Sequence, residues 1–159
     1  MNPLRQAALI ISFAVIAAAA HHQFSPKSKP IPPCDAQSIQ SDEVCLSSLT
    51  NPQNNPDVLW IDARPRRDWL RDGLPGSLLL TLDAAESFDN QLAEILPQLI
   101  SSKRIIVYCS DQGCQASREV VRRLQHYGLQ QEVKALHGGW QALNAAGWLP
   151  IGSNKSITP

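Results

Sequence analysis

The sequence carries no excess of charge of either sign: 14 Lys and Arg stand against 14 Asp and Glu, for a formal net charge of zero. That balance argues against a nucleic-acid-binding surface and against a polybasic membrane patch. The chain has no C-x-x-C pair. Its four cysteines, Cys34, Cys45, Cys109 and Cys114, are too few for a disulfide scaffold and lack the close paired ligands of a zinc site. No metal and no cofactor is therefore expected. There is no internal repeat, and no low-complexity stretch beyond one short spacer.

Charge is also missing locally. Apart from two histidines, no ionisable side chain occurs from Gln6 to Pro26, and Ala7 to Ala20 is apolar except for Ser12. Residues 1–24 read as a membrane anchor or an export signal. The solid apolar run is short for a spanning helix, and Ala18 and Ala20 suit a small-residue cleavage site. Continuation through His21, His22, Gln23 and Phe24, followed by a Pro-, Lys- and Ser-rich linker at 25–33, favours a retained anchor. The expected location is outside the cytoplasm, tethered to a membrane through the N-terminal helix, or secreted after cleavage near Ala20.

What remains is 34–150, with a tail at 151–159. With 43% apolar and 18% charged residues over 159 positions, the chain has the composition of one globular domain with a real core. Ser41-Asp42-Glu43-Val44 reads as a capped helix start, with Cys45 and Leu49 on one face. Cys34 and Cys45 are expected to be independent thiols, since a buried helical cysteine is a normal small hydrophobe. Val58 to Ile61, ending at Asp62, is a strand buried on both faces. Trp69-Leu70 suits a short helix, Asp72 to Gly76 a turn, and Ser77 to Leu80 a strand. Phe88, Leu92, Ile95, Leu96, Leu99 and Ile100 recur at helical spacing, with Pro97 expected to kink or divide the helix. Arg104 to Cys109 is a strand, Ser117 to Tyr127 a helix closed by Gly128, and Glu132 to Leu136 a strand. Strands alternating with helices predict an α/β fold, a central parallel sheet with helices on both faces.

Cys109 is the candidate catalytic residue. It stands where an apolar strand stops and, after a polar stretch, a helix starts. Inward N–H groups and the helix N-terminus favour an anion there, and the thiolate is the nucleophilic form of cysteine. The polar residues that follow, Ser110, Asp111, Gln112, Gly113, Gln115 and Ala116, argue against burial. In such sheets ligands bind beyond the carboxyl ends of strands.

Several pieces, in order, resemble a rhodanese-like domain over roughly 34–150. Val58-Leu59-Trp60-Ile61-Asp62-Ala63-Arg64 is similar to the strand ending in D-x-R, and Leu74-Pro75-Gly76-Ser77 to the I-P-G-A turn. Ile106-Val107-Tyr108-Cys109 is similar to the strand that ends in the active cysteine, and Ser117 to Gly128 to the helix that follows. Leu136-His137-Gly138-Gly139-Trp140 and Ala146-Gly147 are similar to the closing L-x-G-G and A-G elements. The resemblance implies a sulfurtransferase: Cys109 takes sulfane sulfur from a small donor such as thiosulfate, holds it as a persulfide, and passes it to a thiol or cyanide acceptor. The active loop would run Ser110 to Ser117.

The chain departs from that pattern in three places. Cys114 stands where the loop's arginine is usual, Ser117 lies farther from Cys109 than the family sets it, and Gly73 replaces a histidine. Arg118 is the candidate substitute for the missing anion-binding arginine. Cys114 is either a neutral loop residue or a second thiol that forms a disulfide with Cys109 or attacks its persulfide. Two alternatives therefore stand beside sulfur transfer: a thiol redox or persulfide-sensing module using Cys109 and Cys114, and a catalytically silent binding domain. A cysteine phosphatase would need an arginine late in the loop. Asp62 and Arg64 are expected to be structural near the site. Gly138-Gly139 is expected to form a tight turn under the active loop, and His137 to be a satisfied structural histidine.

Overall fold

The computed structural model describes residues 34, 39–51, 55–110 and 115–150. The anchor or signal segment, the linker, Asp111 to Cys114 in the loop, and the tail lie outside the described residues. Among the described residues no helix is long and apolar enough to cross a membrane.

The strands are β1 (Glu43–Val44), β2 (Val58–Asp62), β3 (Leu78–Leu79), β4 (Arg104–Tyr108) and β5 (Glu132–Leu136). The helices are α1 (Arg66–Asp72), α2 (Phe88–Ser101), α3 (Gln115–His126) and α4 (Gly139–Ala145), with a short 3-10 turn at Leu46–Ser48. The five strands form one parallel sheet in the order β1-β5-β4-β2-β3. β4 is central, flanked by β2 and β5. Its apolar run suits that place, because a central parallel strand is buried on both faces.

Side-chain alternation sends the sheet's two faces into two cores. Ile61 and Ala63, Ile105, Val107 and Cys109, and Val133 and Ala135 face α2 and α3. There they meet Leu92, Ile95 and Leu99 of α2, and Val120, Val121 and Leu124 of α3. Trp60, Ile106, Tyr108 and Leu136 face the other way, against Leu143 of α4 and Leu74 and Leu149. The sheet thus has helices on both faces, as the alternation of elements predicts.

Local chemistry explains the element ends. Ser87 caps α2, accepting from the Asn90 amide at 3.3 Å. Pro97 does not divide α2, which runs unbroken through it. The bond Pro97 cannot make belongs to the carbonyl of Ala93, and both residues lie on the exposed side of the helix, where water can satisfy that group. Gly128, with φ 74°, follows α3 as its terminating glycine.

Two expectations for the N-terminal part of the domain are corrected. Glu43–Val44 is a strand, not a helix start. It joins the edge of β5, where the Ala135 amide donates to Asp42 and the His137 amide to Val44, at 2.8 and 2.9 Å. These ladder bonds, with Val44 buried beneath them, outweigh the local capping pattern. Cys34 and Cys45 are not independent thiols. They form a disulfide across a Cα separation of 5.7 Å, within the normal range. Cys45 is not on a helix but precedes the 3-10 turn.

The bridge joins positions 11 apart in the sequence. Replacing both Cys34 and Cys45 by Ser is expected to lower stability by roughly 2–3 kcal/mol through the freed unfolded chain. Urea unfolding followed by circular dichroism checks this. An unchanged midpoint would mean that the bridge constrains nothing the fold does not already hold.

Candidate functional site

The carboxyl ends of β2 and β4 and the start of α4 meet around one buried ion pair. Asp62 ends β2 fully buried, and Arg64, two residues on, is 4% exposed. The Arg64 guanidinium forks onto Asp62, with Nη2 to Oδ2 at 2.8 Å and Nε to Oδ1 at 3.1 Å, while Nη1 reaches Asp72 of α1 at 2.9 Å. The Arg64 amide also donates to Asp62 at 2.9 Å. Burial alone would lower the Arg64 pKa, but the hydrogen bonds to Asp62 and Asp72 and the Asp62 charge more than offset it, so the guanidinium is held charged. Its plane is further enclosed by the rings of Tyr108 and Trp140, at 5.7 and 5.5 Å.

Tyr108 and Trp140 carry this order to Cys109. The Leu74 amide donates to the Tyr108 hydroxyl at 2.9 Å. Ser77 Oγ lies 3.1 Å from that hydroxyl and is also bonded to the Leu74 carbonyl at 2.7 Å. Burial, and then the Asp62 charge, push the Tyr108 hydroxyl far above the usual phenol range, so it stays protonated. Trp140 Nε1 donates to the Asp72 carbonyl at 2.9 Å, and the Trp140 amide donates to the Cys109 carbonyl at 2.6 Å. Gly138 and Gly139 make this approach possible, with φ of 77° and 49°. They shape the turn between β5 and α4.

Cys109 follows the last residue of β4 and packs into the core shared with α2 and α3. It is 2% exposed and disulfide-bonded. The expectation of an exposed thiol is therefore corrected: a disulfide sulfur is apolar and is tolerated in the core cluster that also holds Val107, Val120 and Ala135. Ser110 is exposed, as is Gln115, whereas Ser117 is buried within the first turn of α3. Asp111, Gln112, Gly113 and Cys114 lie outside the described residues.

Arg118 is not a solvated surface arginine. Its side chain is 22% exposed and its Nη1 lies 3.6 Å from Glu43, which also meets His137 Nδ1 at 3.4 Å. His137 is thus tied to β1, as a structural histidine would be. Beside the start of α3 is a cleft of about 590 Å³ whose lining includes Asp42, Leu82, Ala116, Arg118, Glu119 and Arg122. Leu82 and Ala116 also pack against the core that holds Cys109. Gly73 leaves no room for a side chain: a Cβ there would come within 2.5 Å of the Trp69 carbonyl.

The sequence alone did not single out Tyr108, Trp140, Asp72 or Glu43. Alternation along β4 was the one available signal for Tyr108, since it must face away from Cys109. Nothing in the spacing of Asp72 or Glu43 marks them as partners of Arg64 and Arg118. Among the described residues no cluster of His, Cys, Asp and Glu is able to hold a metal ion.

A family model for the rhodanese-like domain matches residues 46–146. No curated protein matches the chain. Among solved structures, a thiosulfate sulfurtransferase from Pseudomonas aeruginosa is 21% identical with a TM-score of 0.55, the match covering 71% of this chain and 20% of that one. The rhodanese-like domain of the Alr3790 protein from Anabaena is 20% identical with a TM-score of 0.55, covering 76% and 86%. The BH2092 protein from Bacillus halodurans is 14% identical with a TM-score of 0.56, covering 75% and 85%. At these identities the likeness is one of fold.

Removing the Arg64 side chain isolates the fully buried Asp62 carboxylate. Arg64→Ala is expected to cost about 3–5 kcal/mol, and Arg64→Lys to restore little of it, because one ammonium cannot serve Asp62 and Asp72 in the same fork geometry. Denaturant unfolding of both variants checks this. Full rescue by lysine would show that the pair needs charge alone.

Proposed function

The chain belongs to the rhodanese-like domain family, and on that premise we propose that it is a sulfurtransferase carrying sulfane sulfur as a persulfide on Cys109. The observation that carries this reading is the place of Cys109. It stands at the carboxyl end of the central strand and just before the helix α3, and its carbonyl is pinned by the Trp140 amide. That is where N–H groups and a helix N-terminus stabilise an anionic sulfur. The printed activity of the Pseudomonas relative, thiosulfate sulfurtransferase, accords with it.

The disulfide at Cys109 must first be opened by a dithiol reductant, which takes up the disulfide's oxidising equivalents and frees the thiolate. The thiolate then attacks the outer sulfur of thiosulfate. The sulfur–sulfur bond of the donor breaks, sulfite leaves, and Cys109 holds a persulfide anion. Attack by cyanide or a thiolate on the outer sulfur returns Cys109 as thiolate and releases thiocyanate or a new persulfide.

A second reading rests on the same disulfide. Cys34 and Cys45 are joined to each other, and the sequence has four cysteines. In this reading Cys114 is the partner of Cys109, and the two act as a thiol redox couple. Disulfides at both Cys34–Cys45 and Cys109 also support placing the domain outside the cytoplasm, tethered or exported through residues 1–24. Cell fractionation tests that placement, and an intact chain found soluble in the cytoplasm would overturn it.

Mass spectrometry after a thiosulfate pulse separates the two chemical readings. Wild type is expected to gain one sulfur only after reduction, Cys109→Ser to gain none, and Cys114→Ser to load without prior reduction and keep its persulfide longer. If reduced wild type gains no sulfur but re-forms an internal disulfide on mild oxidation, the redox couple is the better account.

A further inference from the structure

We propose that the outer face of α2 is a self-association surface, on which a second copy of this chain packs its own α2 antiparallel to the first. The pairing is independent of the sulfur chemistry at Cys109. α2 is more apolar than the core beneath it requires. Phe88, Leu92, Ile95 and Leu99 are buried, but Leu96 is 40% and Ile100 60% exposed. Helical spacing sets Ala93, Leu96 and Ile100 on a second stripe, at steps of three and four residues, the period of a helix–helix seam. Leu96, Ile100 and Tyr127 are the large apolar side chains left exposed among the described residues. They are not scattered. Leu96 and Tyr127 line one recess of about 410 Å³, together with Leu92, Ala93 and Leu129. Ile100 follows Leu96 by one helical turn. Exposed apolar residues gathered in one place mark a contact surface, whereas single ones are ordinary.

A recess beside a protruding side chain suits a second copy. Two α2 helices crossing antiparallel near Leu96 set Leu96 against Leu96, and Ile100 of each copy opposite Ala93 of the other. Ala93 is the small residue in the wall of the recess, so Ile100 enters it as a knob enters a hole. The same two-fold register joins the ends of the seam. Asp89 and Lys103 lie equally far before and after Leu96, so each Asp89 faces the other copy's Lys103. Both are open to that contact. The Lys103 side chain is 77% exposed and its partner Asp57 55% exposed. Asp89 accepts from the Tyr127 hydroxyl at 3.2 Å, a neutral partner that leaves its charge in place. A two-fold contact meets itself, so it needs both signs within one patch, and the zero net charge of the chain adds no repulsion between copies. A bilayer fits less well, since a lipid surface does not fill a recess and Asp89 and Glu94 border the stripe. One helix face per copy is a small area, and the Ala93 carbonyl that Pro97 leaves unbonded keeps water at the seam. The pairing is therefore weak and depends on concentration.

The test uses the whole chain in mild detergent, with its mass followed by light scattering over a wide range of concentration. Wild type is expected to pass from monomer to dimer. Leu96→Glu should weaken the pairing by about a hundredfold, roughly tenfold from each copy's buried charge. Leu96 is exposed in the single chain, so the circular dichroism of this variant should match wild type. Asp89→Lys and Lys103→Asp should each stay monomeric alone and form a mixed dimer when combined, because the mixture restores opposite signs at both ends of the seam. Carbodiimide should join Asp89 of one copy to Lys103 of the other, seen as a crosslink between isotopically light and heavy chains. Wild type that stays monomeric at every concentration overturns the inference, whether or not it binds vesicles. A dimer that Leu96→Glu leaves equally strong is held elsewhere, residues 1–24 included, and overturns it too. Charge variants that fail to pair with one another overturn the antiparallel arrangement. None of these outcomes bears on sulfur loading at Cys109, so the two proposals fail separately.

Discussion

The site end of this domain depends on the buried pair between Asp62 and Arg64. A fully buried carboxylate at the end of β2 is tolerable only because Arg64 gives it a forked, charge-assisted contact. Having been drawn inside, the guanidinium needs further partners, and it finds Asp72 on one side and the faces of Tyr108 and Trp140 on the others. Those same residues hold the Leu74–Ser77 turn, the end of α1 and the start of α4. Cys109 inherits its position from them, through the chain bond to Tyr108 and through the Trp140 amide. The pair is costly in isolation, and the network built on it explains why it is kept.

Cys109 itself lies on the opposite face of the sheet from Tyr108. The arrangement divides the work. The polar network on one face sets the backbone at the strand end, while the apolar core on the other face surrounds the sulfur. In its disulfide form the sulfur carries no charge and tolerates that core.

The fold was legible because its signals are strong and local. Apolar runs marked β2, β4 and β5 closely, and helical spacing marked α2 and α3. The misreadings have physical causes. At Ser41–Val44 a capping pattern competes with an open sheet edge, and the long-range ladder with β5 wins. At Cys34 and Cys45 sequence spacing says nothing about whether two thiols meet. At Pro97 the breaker falls on the solvent side of α2, where a missing bond does little harm. Within the site, Cys109, Asp62, Arg64 and the Gly138–Gly139 turn were readable from residue type at an element end. Glu43, Asp72, Tyr108 and Trp140 were not, because their roles arise from contacts between segments far apart in the chain.

By itself, then, the sequence determined a parallel α/β sheet, the strand end that carries Cys109, and the departure that puts Cys114 where an arginine is usual. Those are properties of periodicity, composition and order along the chain. Only the tertiary structure decided that Cys109 is buried and oxidised, that Cys34 and Cys45 are bridged, and that Arg118 shares a mixed-charge cleft with Asp42. Each of these depends on which side chains are brought within a few ångströms across the sheet order β1-β5-β4-β2-β3, and linear spacing does not encode that proximity.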